Sequence, residues 1–135
     1  MRPVGVTDAA AVGALYGTER EAEMASRLAR TGPAGATAYY ALEAGGEIAA
    51  VFALTALGRL RPGTAHRVLL HEFKLGARFR GTGAVDQVLT WLRSPAGVGP
   101  ETEVLALAPP GRLPEAFARH GLVSSLQAFS WEAAC

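Results

Sequence analysis

Apolar residues recur along this chain in two rhythms. Near-continuous apolar runs occupy 47–57, through Ile48, Val51, Phe52 and Leu54, and 103–108. Such runs read as strands covered on both faces. A third run opens at Val68-Leu69-Leu70 and continues through His71 to Leu75. The second rhythm is helical: Val85, Val88, Leu89 and Leu92 share one face of a helix that starts just past Gly83. Turn residues mark off the rest. A short strand over 1–6 leads to a helix over 9–16, with Thr7 as its cap and Asp8 in its first turn. A second helix starts at Thr18 and stops at the Gly-Pro-Ala-Gly run of 32–35. Strand 37–44 turns into 47–57 through Gly45-Gly46, a two-residue hairpin signal. After a loop over 58–64, the central strand and helix follow. The breaker run 94–100 precedes strand 103–108. Pro114 opens a helix that His120-Gly121 closes, and a last strand spans 126–132. The predicted order is β-α-α-β-β-β-α-β-α-β, a mixed α/β fold.

Composition narrows the class. The 135 residues suffice for one domain with a real core, so 1–135 is expected to be a single domain. Half the residues are apolar and 19% are charged, which argues against disorder. A net charge of +1 provides no strong field for nucleic acid or an anionic membrane. No apolar run is long enough for a membrane span, and no signal-peptide profile opens the chain. The single cysteine, Cys135, cannot form an internal disulfide, which fits a reducing cytoplasm. No metal site is expected.

The candidate chemistry lies between the third apolar run and the helix. There the sequence reads Gly76-Ala77-Arg78-Phe79-Arg80-Gly81-Thr82-Gly83-Ala84-Val85. Glycines let backbone approach an anion closely, and the first N–H groups of a helix are unpaired and point outward. Arg80 adds a full positive charge. Arg80, Gly81, Thr82 and Gly83 therefore read either as a phosphate cradle or as a plain helix entry. No Gly-Lys-Ser/Thr follows, so this is not a P-loop, and it is a poor match to the dinucleotide fingerprint. On the preceding strand lie His71 and Glu72, which can accept protons. Strand alternation puts them on opposite faces. Each also has a bland reading: Glu72 paired with Lys74 or a nearby arginine, and His71 a satisfied core histidine.

The stretch Arg80-x-x-Gly83-x-Val85, after Leu75 and Phe79, resembles the acyl-CoA loop of the Gcn5-related N-acetyltransferases (GNATs). Val85 stands where that family has a small residue. The element order resembles the family's across nearly the whole chain. The resemblance implies a mixed, mostly antiparallel sheet of six to seven strands with helices on both faces, splayed at the acyl-CoA site. It implies acetyl-CoA, or another acyl-CoA, as cofactor. The pantetheine arm would pair with backbone of 70–75, Phe73 and Leu75 included, and the pyrophosphate would meet Arg80, Gly81, Thr82, Gly83, Ala84 and Val85. It implies acetyl transfer to a small-molecule or peptide amine, with Glu72 preferred over His71 as base. The family often has a tyrosine four residues ahead of a Gly-Phe pair. Here Phe117 precedes Gly121-Leu122, and phenylalanine has no proton to give. Tyr16, Tyr39, Tyr40 and His120 are alternative donors but read more simply as core or surface residues. Two other readings therefore stand beside the transferase. One is a non-catalytic acyl-CoA-binding regulator of a partner protein, and the other is the same fold reused for other chemistry. A monomer or a homodimer fits equally.

Overall fold

The computed structural model describes residues 1–17, 24, 25, 28, 37–57, 66–108, 111 and 113–124. Five strands and three helices are defined there in chain order. They are β1 (Arg2–Pro3), α1 (Ala9–Leu15), β2 (Thr37–Ala44), β3 (Glu47–Leu57), β4 (Arg67–Leu75), α2 (Ala84–Arg93), β5 (Glu103–Ala106) and α3 (Leu113–Arg119). The strands form one sheet in sequence order, antiparallel from β1 to β4 and parallel between β4 and β5. This is the expected mixed, mostly antiparallel α/β architecture, with five strands among the described residues. The expected last strand at 126–132, the loop at 58–64 and Cys135 lie outside them. So does most of the expected second helix, although Met24, Ala25 and Leu28 are helical.

β3 explains the layering. From Ala49 to Leu54 every residue is buried, because both faces of the strand are covered. On one face Phe52 and Leu54 pack with Leu70, Val88, Leu89, Leu92 and Phe117, under α2 and α3. On the other, Val51 and Ala53 pack with Ala9, Val12, Met24, Leu28 and Tyr39, under α1. Gly45 and Gly46 turn β2 into β3 with φ of 60° and 81°, values that a side chain disfavours. An aromatic group consolidates the first face. Phe52 stacks on Tyr40 and on Phe73, and Trp91 leans on both Tyr40 and Phe52, with centroids 5.4 and 6.1 Å away.

The N-terminus departs from expectation. The first strand is only Arg2–Pro3, and a 3-10 turn, Val6–Asp8, precedes α1. Thr7 does not cap. Instead the Asp8 carboxylate accepts the Gly5 N–H at 2.8 Å and the Arg2 guanidinium at two 2.8 Å contacts. These bonds, the Arg2 pair foremost, hold the Asp8 carboxyl below its usual range. A carboxyl whose pKa falls on folding stabilises the fold above its unfolded pKa and loses that contribution as pH falls through its folded value. Asp8→Asn should therefore lower the urea midpoint at pH 7. The gap from wild type should close as pH drops below about 4. A gap that persists undiminished in acid would assign it to packing instead.

No described helix is long and apolar enough to cross a membrane.

Candidate functional site

β4 and β5 stay paired only from Arg67 opposite Glu103 to Leu70 opposite Ala106, and the Leu107 N–H closes the ladder on the Leu70 carbonyl at 2.9 Å. β4 runs on to Leu75 and stays paired with β3, which leaves its other edge uncovered among the described residues. The expected strand 103–108 thus ends early, at Ala106, where the two strands part.

At that point β4 bulges. Ala53 faces His71 and Val51 faces Lys74, so Phe52 alone stands against Glu72 and Phe73. Glu72 takes a left-handed conformation, φ 51°, the only non-glycine to do so among the described residues. That conformation costs roughly 1–2 kcal/mol for an L-residue. Two tyrosines meet it. The Tyr16 hydroxyl, just past α1, donates to the Glu72 carbonyl at 2.5 Å, and the Tyr39 hydroxyl of β2 donates to the Glu72 carboxylate. His71 lies beside them, with Nε2 2.7 Å from the Thr55 hydroxyl, which is itself 2.7 Å from that of Thr37.

The bulge corrects the alternation argument. His71 reaches Thr55 and Glu72 reaches Tyr39, so both side chains serve the α1 face rather than opposite faces. Phe73 then returns to the α2 face, buried and stacked on Phe52. Its side chain is thus taken up by the core. The carboxylate of Glu72 engages a phenol rather than Lys74.

The loop that follows leaves its backbone open at two glycines before the helix start. The Gly76 N–H bonds back to Ala49 O at 2.8 Å, and a 3-10 turn, Ala77–Phe79, folds Phe79 onto it. Arg80 is extended and exposed, with no carboxylate partner among the described residues. Gly81 and Gly83 have φ of 75° and 81°, and a Cβ on either would point into open space. Thr82 N–H and Oγ donate to Phe79 O, at 3.3 and 2.6 Å. The first intrahelical bond of α2 runs from Gln87 N–H to Gly83 O, so the N–H groups of Ala84, Val85 and Asp86 precede it. Ala84 is buried, and the half-buried Val85 packs against the core cluster. Leu75 packs there too. An acidic group in this first turn would oppose an anion, but Asp86 is countered. His120 Nε2 lies 2.8 Å from its carboxylate and Arg119 3.4 Å. The His120 bond is the main reason that the carboxyl is held below its usual range.

The sequence marks the loop and Glu72 as candidates and gives no sign of the bulge or of the tyrosines that meet it. Tyr16, Tyr39 and His120 read as alternative donors or, more simply, as core or surface residues, and nothing in the apolar rhythm marks a left-handed glutamate. Tyr40 lies apart, in the aromatic group on the α2 face. Phe117 is core, 7% exposed.

No family model matches this sequence, and no curated protein matches it significantly. Solved structures do match the fold. The aminoglycoside N-acetyltransferase AAC(6')-Iy in complex with CoA is 15% identical, with TM-score 0.70, covering 99% of this chain and 98% of that one. A predicted acetyltransferase with acetyl-CoA from Clostridium acetobutylicum is 12% identical, with TM-score 0.71 and coverage of 97% and 94%. A GNAT family acetyltransferase from Staphylococcus aureus is 14% identical, with TM-score 0.73 and coverage of 98% and 96%. With the parted strands, the bulge and the glycine-flanked helix start, these likenesses show that the chain has the fold of the Gcn5-related N-acetyltransferases.

Proposed function

We propose that this protein binds acetyl-CoA and transfers the acetyl group to an amine. The observation that carries the reading is the parting of β4 from β5 directly before a loop with open backbone at Gly81 and Gly83. Similarity to structures solved with CoA and acetyl-CoA supports it. The residues fit such a ligand. A pyrophosphate would meet the N–H groups of 84–86 at a positive helix end, with Arg80 alongside. The edge of β4 past Leu70 offers backbone groups to an extended amide arm, as a sheet edge does to any added strand.

Bound acetyl-CoA supplies an activated acyl group on a good leaving thiolate. A protonated amine would give up two protons, one to free its lone pair and one as the new C–N bond forms and the C–S bond breaks, and the departing thiolate would take up one. Glu72 is the base in this reading: its carboxylate lies at the bulge, held by the Tyr39 hydroxyl. His71 is already engaged by Thr55, which places it second. Phe117 cannot protonate the thiolate, so that proton comes from solvent. The acceptor is a small molecule or peptide with a basic nitrogen, and the domain 1–135 acts as one unit.

Calorimetry with CoA, then acetylation of a panel of polyamines, aminoglycosides and peptide amines, tests this directly. Heat and a thermal shift with CoA, followed by transfer to at least one amine, are expected. No heat at millimolar CoA would reject the cofactor. Tight CoA binding without any transfer would reject the enzyme.

A further inference from the structure

We propose that Tyr16 and Tyr39 are positioning residues that hold Glu72 at both ends, backbone and carboxylate, and so set the base in its reactive place; this rests on the acyl-transfer reading above.

The two tyrosines come from separate elements. Tyr39 stands opposite Ala53 in β3, and Ala53 stands opposite His71 in β4. Alanine is small, so the Tyr39 ring can lie across β3 and bring its hydroxyl to the carboxylate on β4. Tyr39 is 6% exposed and clusters with Ala9, Val12 and Val51. The phenol therefore reaches Glu72 from a fixed base and loses little rotamer freedom in doing so. Tyr16 follows the last residue of α1, with φ −82°, and Gly17 turns the chain away at φ 73°. Its hydroxyl takes the carbonyl of the one described residue whose backbone is strained. An unheld glutamate in a strand would relax toward extended backbone, realign with Phe52 and draw its side chain away from the α1 face. The two bonds oppose that relaxation at different atoms. Neither tyrosine need touch substrate; each acts through Glu72.

The test uses the full chain. Tyr39→Phe keeps the packed ring and removes only the hydroxyl. With the amine acetylated fastest by the wild type, kcat should fall about tenfold, the worth of one hydrogen bond to a charged group. The KM for acetyl-CoA should stay unchanged. In a Glu72→Gln background the same change should have no further effect, because a positioning residue has nothing left to position. Equal loss in both backgrounds, or no loss in either, overturns the proposal. A second readout needs no turnover. Amide hydrogen exchange at 72–74 should quicken in the Tyr16→Phe/Tyr39→Phe protein, or in either single variant if the double does not fold. Unchanged exchange there overturns the pinning. If the wild type binds CoA but acetylates nothing, the transferase reading fails, and the exchange result still decides whether the tyrosines hold the bulge.

Discussion

Glu72→Gln should lower amine acetylation at neutral pH by about 10²–10⁴-fold, the usual worth of a positioned general base. At neutral pH a basic amine is almost wholly protonated, so its lone pair becomes available only when a proton is removed at the site. The substitution keeps the size of the side chain and leaves an acceptor oxygen for the Tyr39 hydroxyl, so the bulge and acetyl-CoA affinity should survive. The loss should shrink as pH rises toward the pKa of the amine, because solvent then does what the carboxylate did. Rates measured from pH 6 to 10, with calorimetric binding of acetyl-CoA as the control, check this. Full activity across neutral pH would remove Glu72 as the base and leave it a structural partner of Tyr39.

The largest effect on binding is expected from Gly83→Val, which should weaken CoA binding by at least about 100-fold. Gly83 has φ 81° and borders open space. Valine there carries two liabilities. The left-handed backbone costs roughly 1–2 kcal/mol, paid in folding. Its branched side chain would stand where a phosphate must come within hydrogen-bond distance of the helix N–H groups. Gly83→Asn separates the two, since asparagine tolerates the left-handed region but still adds bulk. Both variants should lose CoA in calorimetry, while only the valine protein should melt clearly lower. Undiminished binding by the asparagine protein would move the pyrophosphate away from this helix start.

These sites were legible in the sequence to different degrees. Hydrophobic rhythm marked β3, β4 and α2 because each buries a periodic or continuous face, and the pair Gly45-Gly46 marked the hairpin between β2 and β3. The loop was readable because its glycines adopt φ values that other residues avoid. The bulge was not readable. Glutamate has no special preference for left-handed backbone, and what offsets the strain is a pair of hydroxyls from residues distant in sequence. Alternation failed at His71 and Glu72 for that reason. The early end of β5 was hidden too, since Leu107 and Ala108 continue the apolar pattern while the ladder stops at Ala106. Asp86 lies in α2 and His120 just past the end of α3, and only packing brings them together.

The one parallel pairing among the described strands also bears on how the molecule assembles. β2, β3 and β4 form an antiparallel meander whose first turn is two residues long, and such local contacts close at little entropic cost. β5 can join β4 only after the intervening chain, α2 included, has been laid across the sheet. The cleft between β4 and β5 is therefore bounded on one side by the late, costly part of the sheet. Mild denaturant or heat should release β5 and the start of α2 before the meander opens. The site should be lost while most of the strand signal remains, and a ligand bridging β4 and α2 should delay that first step more than the second.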